Sequence, residues 1–347
     1  MSQCSIYFPG LLGPDVPIKV LDKNEWPGVQ QIPNLSKLLS RGHYRALSKA
    51  DIETRILNGM GISFSGNEDV PVARLRVQQL PLIDTQKSAW CLDPVFIQID
   101  KEDAVVQAHE NIELSESEAR HIIDDLNTHF AEDGFKLHYH SVYRWVLEAE
   151  LDLITTSLSS AMYKNISQLQ PAGTSEKRWW ALLNEIQMLL YNHPVNEARE
   201  SRGAMPVNSL WLWGGSSTVQ YEPLIDSIFC NEQWVTDVAQ LYDIDFQSTD
   251  DVKELKALSE SCLMLYTDLL GAIRQSDAFA WLDSLKEFEQ TILSTIMNMM
   301  EKDKLQTLML YSDTVSISIR RADLKKWWKR IRPVRDTIIK ARSAYGI

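Results

Sequence analysis

Cysteine is scarce in this sequence, and its four cysteines are far apart. They stand at positions 4, 91, 230 and 262, and no two of them form a Cys-x-x-Cys pair. This spacing excludes a zinc knuckle, which needs paired thiolates at short intervals. We therefore expect four buried, reduced thiols, as is usual in a cytoplasmic protein.

Long apolar runs are also missing. No stretch of roughly 18 consecutive apolar residues occurs, so we expect no transmembrane segment. The opening residues MSQCSIYFPGLLGPD lack a basic leader followed by an apolar segment, and we expect no signal peptide. Together these features predict a cytoplasmic location.

The chain has too little positive charge for broad nucleic-acid binding. Its 35 lysines and arginines stand against 47 aspartates and glutamates, which gives a formal net charge of −12. A phosphate backbone requires a concentrated positive surface, so we expect no nucleic-acid partner. The glycines form neither a Gly-x-Gly-x-x-Gly pattern nor a Walker loop, and no nucleotide site is predicted.

One basic segment departs from this acidic composition. Residues Arg320 to Arg335, RRADLKKWWKRIRPVR, contain the adjacent Trp327 and Trp328. Such a segment could dock on an anionic membrane surface or on an acidic protein partner. The alternative, which we favour, is that the two tryptophans pack on the protein's own core and the cations pair with its acidic surface.

The pattern of apolar residues predicts alternating helices and strands. A buried strand, SIYF at residues 5–8, ends in the turn Pro9–Gly10, which is typical of the carboxyl edge of an α/β sheet. The clearest helix spans residues 278–300, where apolar residues recur every three or four positions. Further strands are predicted at 210–213, 262–266 and 307–311. This alternation favours an α/β sheet covered by helices on both faces.

A smaller unit is predicted inside the chain. Two strands flank a turn at residues 100–103, a helix begins at Ser115, and another strand follows at 136–140. Ser115 and Glu118 have the spacing of a capping box, in which each side chain satisfies the other's backbone N–H. We therefore expect an inserted α+β domain over residues 71–149, and a core domain over residues 1–70 and 150–347.

Residues 191–215, YNHPVNEARESRGAMPVNSLWLWGG, concentrate side chains that could bind an anion. Guanidinium groups match the geometry of a phosphate, and a histidine and two asparagines lie close by. The candidates for a site that binds a small anionic ligand are His193, Asn196, Arg199, Arg202, Asn208 and Trp213.

Each candidate also has a structural interpretation. His193 could cap the end of the preceding helix, and the two arginines could pair with Glu197 and Glu200. Asn196 and Asn208 could close turns, and the tryptophans could pack in a core. The sequence leaves both interpretations open.

The same stretch carries a family resemblance. The string His193-Pro194-Val195-Asn196, followed by PVN at 206–208 and LWLWG at 210–214, resembles a segment of the archaeal-type, cofactor-independent phosphoglycerate mutases. Residues 114–127, LSESEARHIIDDLN, are similar to a helix in that family's inserted domain. The segments FPGLLGP, Ala89–Val95 and LKKWWKRIRP also resemble bacterial RpfE-type regulatory proteins.

This resemblance implies an alkaline-phosphatase-like fold, a doubly wound sheet with an inserted smaller α+β domain. In working members of that superfamily, two divalent metals activate a serine that accepts the phosphoryl group. Carboxylates and histidines are the ligands that such a metal pair requires.

The residues expected at the metal-binding positions are mostly missing. The first strand runs into Pro9–Gly10 where the superfamily has an aspartate, and Asp15 comes five residues after Gly10. Asp268 and Asp313 stand where later aspartates are expected, but no histidine occurs anywhere after His193. We therefore interpret Asp15, Asp268 and Asp313 as vestigial, and expect no metal and no other cofactor.

The sequence thus favours a phosphoglycerate-mutase-like protein with a degenerate metal site. It would be a non-catalytic, cytosolic binding or regulatory protein that retains an anion pocket. One alternative is an active manganese- or zinc-dependent phosphotransferase, mutase or phosphatase that acts on a small phosphorylated acid. Another is a structural protein that binds a protein partner.

Overall fold

A computed structural model gives the fold of the chain. It describes residues 2–13, 25–48, 50–64, 69–80, 88–100, 103–107, 112–162, 164–215, 219–250, 261–274 and 277–346. The chain divides into two compact units. Unit 1 comprises Met1–Gly61 and Glu222–Ile347, and unit 2 comprises Ile62–Tyr221.

Strands and helices alternate along much of the described chain. The strands are β1 (Gln3–Tyr7), β2 (His43–Ala46), β3 (Ile62–Ser63), β4 (Ala89–Val95), β5 (Ile97–Asp100), β6 (Asp103–Val106), β7 (Lys136–Ser141), β8 (Arg144–Glu148), β9 (Ser209–Trp213), β10 (Gln220–Tyr221), β11 (Ser227–Phe229), β12 (Asp245–Gln247), β13 (Ser261–Leu265), β14 (Thr307–Tyr311) and β15 (Val315–Arg320). The helices are α1 (Pro33–Arg41), α2 (Ile52–Met60), α3 (Val72–Gln78), α4 (Glu116–His129), α5 (Leu158–Ala161), α6 (Glu176–Tyr191), α7 (Pro194–Ser201), α8 (Gln233–Leu241), α9 (Leu269–Arg274), α10 (Ala278–Phe288), α11 (Ser294–Glu301), α12 (Arg321–Leu324) and α13 (Val334–Tyr345). None of the helices in the described part of the chain has the length and apolar character that crossing a membrane requires.

Unit 1 contains a seven-stranded sheet with the strand order β12-β11-β13-β1-β14-β15-β2. The strands from β12 to β14 run parallel to one another, whereas β15 is antiparallel to both β14 and β2. Ile6 in the central strand β1 pairs with Met264 on one side and with Leu310 on the other. The prediction of an α/β fold is confirmed, and its central sheet is large and mostly parallel.

Helices cover both faces of this sheet. On one face Ile6 and Met264 share a buried apolar cluster with Trp281 of α10. Helix α10 continues through a π-helical segment, Glu289–Leu293, into α11, and together they form the helix predicted at residues 278–300. On the other face, Tyr7 and Leu263 lie against Gly59 of α2. Asp277 begins α10 by accepting hydrogen bonds from two backbone N–H groups of its first turn.

Unit 2 contains an antiparallel four-stranded sheet with the order β7-β8-β4-β9. Ile122 of α4 and Ile186 of α6 belong to the buried apolar cluster that packs with this sheet. The predicted capping box begins α4: the Ser115 N–H donates to Glu118 Oε2 at 2.9 Å, and the Glu118 N–H donates to Ser115 Oγ at 3.3 Å.

The inserted unit is longer than the expected domain of residues 71–149. Its boundaries fall after Gly61 and after Tyr221, so residues 150–221 lie with unit 2 and not with the core. The reason is strand pairing: β9 lies beside β4, with Trp213 opposite Cys91. A sequence cannot show by itself that a strand this far along the chain completes the earlier sheet.

Candidate functional site

The carboxyl ends of β1, β13 and β14 meet at one edge of the seven-stranded sheet, because these three strands run parallel. Ligands of α/β proteins commonly bind at such an edge. The segments that leave it contain Pro9–Gly10, Asp268 and Asp313. Two of the three residues interpreted as vestigial ligands therefore reach the same edge, whereas Asp15 lies outside the described residues.

The turn after β1 is held by hydrogen bonds within unit 1. The Gly10 N–H donates to Asp313 Oδ2 at 2.8 Å, and the Trp281 indole N–H donates to the Gly10 carbonyl at 2.9 Å. Gly10 has φ +79°, and a Cβ at this position would lie 2.9 Å from Ile273 Cγ1. The position therefore requires glycine, both for its backbone conformation and for space.

Asp268 lies in an acidic environment. Burial raises the pKa of its carboxyl group, the Tyr266 hydroxyl offsets part of this rise, and the charges of Glu287, Asp250 and Glu232 add to it. Glu232 in turn accepts a hydrogen bond of 3.1 Å from the Thr267 hydroxyl. These like charges disfavour ionisation of Asp268.

The described residues of this edge do not fit a two-metal centre. Within the ranges that the structure describes, no three or more His, Cys, Asp or Glu side chains form a group able to hold a metal ion. The turn after β1 presents Gly10, packed against Ile273, and no carboxylate. Metal-assisted phosphoryl transfer needs a clamp of several converging carboxylates and histidines. The carboxylates described at this edge form no such group, and no histidine follows His193 in the sequence.

The anion-site candidates lie in unit 2, where residues 194–201 form helix α7 and not a loop. Pro194 occupies the first turn of α7, and His193 Nδ1 accepts a hydrogen bond of 3.2 Å from the Val195 N–H. His193 thus caps the start of the following helix, and the expectation that it caps the preceding one is wrong. Its Nε2 lies 3.1 Å from Asp125 Oδ2. Burial lowers the pKa of His193, and Asp125 offsets part of that effect.

The two asparagines bind backbone groups. Asn196 is buried; its Nδ2 donates to the carbonyls of Leu190 and Val207, each at 2.7 Å, and its Oδ1 accepts from the Val207 N–H at 2.9 Å. The Ile97 N–H donates to Asn208 Oδ1 at 2.7 Å, and Asn208 Nδ2 donates to the Ile97 carbonyl at 2.9 Å. The two side chains hold the segment after α7 against its neighbours. Asn208 does so through the distant Ile97 and does not close a local turn.

The two arginines converge on one carboxylate. Arg199 is fully buried and donates from Nη1 to Glu118 Oε2 at 2.9 Å. It also donates to the carbonyls of Met205 and Ile112. Arg202 donates to Glu118 Oε1 at 2.7 Å. Their ion-pair partner is thus Glu118, on α4, and not the neighbouring Glu197 or Glu200.

Glu118 is held ionised by this network. Burial alone would raise its pKa, but hydrogen bonds from Ser115, Arg202 and Arg199 outweigh burial and lower the pKa to about 2. The negative charge that could otherwise be supplied by an anionic ligand is therefore already present in the protein. The capping-box spacing was the sequence signal for Glu118, although it did not indicate the arginines.

Trp213 belongs to a second buried ion-pair network. Its indole N–H donates to Asp93 Oδ2 at 2.8 Å, and Arg76 pairs with the same carboxylate at 2.6 and 3.0 Å. The backbone N–H of Trp145 donates a further hydrogen bond of 3.1 Å to Asp93 Oδ1. Sequence reasoning missed Asp93 and Arg76; the signal was a carboxylate within the otherwise apolar segment of β4.

Comparison with known proteins relates the chain to one enzyme family. Residues 83–196 match the family model of the 2,3-bisphosphoglycerate-independent phosphoglycerate mutase. The enzyme of that name from Methanosarcina barkeri is 27% identical over 114 residues, which are 32% of this chain and 29% of the relative. The one from Methanothrix thermoacetophila is 36% identical over 69 residues, which are 20% of this chain and 18% of the relative. The chain thus matches less than a third of the length of these relatives.

A solved structure matches over nearly the whole chain. The PH0037 protein from Pyrococcus horikoshii has a TM-score of 0.51 and 15% identity, covering 99% of this chain and 97% of that one. This likeness shows a shared fold. The sequence match at 83–196 falls inside unit 2. The sequence similarity to phosphoglycerate mutases therefore lies in unit 2 and does not extend to the segments that form the sheet edge of unit 1.

Proposed function

We propose that this protein is a non-catalytic relative of the cofactor-independent phosphoglycerate mutases, acting in the cytoplasm as a binding or regulatory protein of the RpfE type. The family relationship supports a scaffold shared with those enzymes. The absence of histidine after His193 in the sequence supports the loss of their metal chemistry.

One observation carries the proposal: the turn that follows β1. The family resemblance leads one to expect a metal-binding aspartate here, whereas this chain has Pro9 and Gly10. The Gly10 backbone binds Asp313 and Trp281, and a side chain at this position would collide with Ile273. The crowding by Ile273 at the Gly10 position supports the proposal that this turn carries no metal ligand there.

The segment from His193 to Trp213 has a structural role in this account. All six anion-site candidates bind groups of unit 2, and both arginines are paired with the carboxylate of Glu118. A ligand anion would have to displace an ionised carboxylate from a buried guanidinium, which is unfavourable. The segment is therefore proposed to preserve the fold of unit 2.

The test is a turnover assay with 3-phosphoglycerate and with a generic aryl phosphate, each with added manganese or zinc. The Methanosarcina barkeri enzyme serves as the positive control. We expect no metal-dependent turnover by this chain. Turnover that a chelator abolishes and added metal restores would establish the competing interpretation, an active phosphotransferase.

Thermal unfolding separates the remaining interpretations. A binding protein gains stability with its ligand according to ligand concentration and affinity, whereas a purely structural partner protein does not respond to small anions. A panel of phosphorylated acids and inorganic phosphate, measured without metal, therefore decides between these two.

A further inference from the structure

The tryptophan pair of the basic segment is exposed, so the expectation that it packs on the core is wrong. Trp327 and Trp328 are 83% and 66% exposed, and their rings meet edge to face at 6.1 Å. In the same unit Trp26 and Trp281 are buried. Exposing two adjacent indoles to water is costly, since each carries a large apolar surface. Such an exposed pair indicates a surface that binds a membrane, a protein partner or a ligand.

The residues that follow the tryptophans line a cavity of about 390 Å³. Lys329, Arg330, Arg332 and Lys340 contribute four cations to its wall, and no Asp or Glu is among its described lining residues. Beside them stand the stacked rings of Tyr44 and Tyr345, with centroids 6.5 Å apart.

These four cations differ from other cations of the basic segment. Arg321 pairs with Asp303 at 3.0 Å, and Lys326 pairs with Asp323. In contrast, none of the four cavity cations forms a salt bridge with a described residue. In a chain with a net charge of −12, an unneutralised cluster of this kind is complementary to a polyanionic surface.

We propose that Trp327, Trp328 and the four cavity cations form a docking surface for membranes rich in anionic phospholipid. The two indoles enter the interfacial layer, where tryptophan is preferred, and the cations attract the lipid phosphates. The cavity is large enough to hold a phosphate-bearing headgroup between its cations and the two tyrosines. The interaction is peripheral, and it does not depend on whether the sheet edge of unit 1 is catalytic.

A membrane accounts for the pairing of features better than an acidic protein does. Two exposed indoles that directly precede the cations in the chain match the layered order of a bilayer surface, where apolar chains lie below a plane of phosphates. An acidic protein would satisfy the cations, but the indoles would also need an apolar recess. The acidic-protein interpretation is therefore an outcome of the test.

The experiment is co-sedimentation of the full chain with phosphatidylglycerol-containing vesicles and with pure phosphatidylcholine vesicles. We expect binding to the first and none to the second, and weaker binding as salt rises. The double variant K329E/R330E should reduce the affinity by roughly tenfold or more. The control K302E/K304E makes the same change of net charge at exposed positions of unit 1 and should bind like the wild type.

A second pair of variants tests the indoles. W327A/W328A should lose most vesicle binding, whereas Phe279→Ala, at a 58% exposed apolar residue outside the surface, should not. The substituted positions are exposed, apart from the half-buried Lys329, so thermal unfolding of each variant should match the wild type.

Three results would overturn the proposal. The first is equal binding by K329E/R330E and its control. The second is no vesicle binding by the wild type at low ionic strength. The third is stabilisation by soluble phosphate or by a polyglutamate peptide without vesicle binding, which would assign the cations to a soluble or protein ligand.

Discussion

The Gly10 N–H donates a 2.8 Å hydrogen bond to Oδ2 of Asp313, and so joins the carboxyl ends of two neighbouring parallel strands. In the related enzymes that the sequence resembles, this edge is expected to hold metal ligands. In this chain a carboxylate at the edge, that of Asp313, accepts a hydrogen bond from the backbone of the turn after β1. This bond gives Asp313 a structural role at the sheet edge.

Removing this acceptor tests its structural role. Asp313→Ala leaves the Gly10 N–H without its partner and should lower the free energy of unfolding by about 1 kcal/mol. Asp313→Asn keeps an acceptor oxygen and should cost less. Urea denaturation measures both. If Asp313 were a metal ligand instead, the two variants would be equally impaired in metal binding, and their stabilities would differ from the wild type only when metal is present.

Glycine substitutions separate backbone strain from crowding. Gly10→Ala should lower the free energy of unfolding by about 3 kcal/mol, because a positive φ is combined with a 2.9 Å approach to Ile273 Cγ1. The matched control is Gly203→Ala, where φ is +75° but no atom of the described residues, apart from the chain neighbours, lies within 4 Å of the added Cβ. It should cost about 1 kcal/mol. Equal losses in the two variants would show that the turn after β1 is open.

The Glu118 network should contribute to the stability of unit 2 chiefly through its buried arginine, Arg199. Glu118→Gln leaves the buried guanidinium of Arg199 without a carboxylate and should lower the free energy of unfolding by about 3 kcal/mol. Arg202→Ala removes only the half-exposed partner and should cost less than about 1 kcal/mol. Chemical denaturation of the two variants checks this difference; a similar small loss in both would mean that Arg199 finds another counter-charge.

Two groups of unit 2 make its stability depend on pH in separate ranges. Burial lowers the pKa of His193 from 6.5, so the folded state disfavours the protonated imidazole. The contribution of His193 to stability is therefore present above pH 6.5 and is lost as the pH falls through the pKa of the folded state. The pKa of Glu118 is lowered from 4.5 to about 2. Its contribution is present above pH 4.5 and is lost as the pH falls towards 2.

Variants assign the two ranges. His193→Asn keeps a good helix N-cap and should remove the pH dependence just below 6.5, while Glu118→Gln should remove the part below 4.5. Denaturation measured across a pH series gives both profiles. A His193→Asn profile parallel to that of the wild type would contradict the assignment of the upper range to His193.

Local patterns were readable from the sequence. The apolar period over residues 278–300 predicted the continuous helix of α10 and α11, and Ser115 with Glu118 predicted the cap of α4. Both depend on residues within a few positions of one another. The order of short apolar strands similarly indicated the α/β sheet.

The site could not be read in the same way, because its contacts join distant parts of the chain. Glu118 binds Arg199 from another helix, and Asp93 binds Trp213 through the pairing of β4 with β9. The exposure of Trp327 was missed for a related reason, since a basic, aromatic segment has the same sequence whether its indoles face the core or the solvent.

The most direct test of the central claim is the metal content of the purified full chain. The protein is incubated with manganese or zinc, passed through a desalting column, and analysed for metal by mass spectrometry. The account predicts far less than one tightly bound ion per chain, unchanged in Asp268→Asn and Asp313→Asn. Two ions per chain in the wild type, lost in those variants, would contradict it.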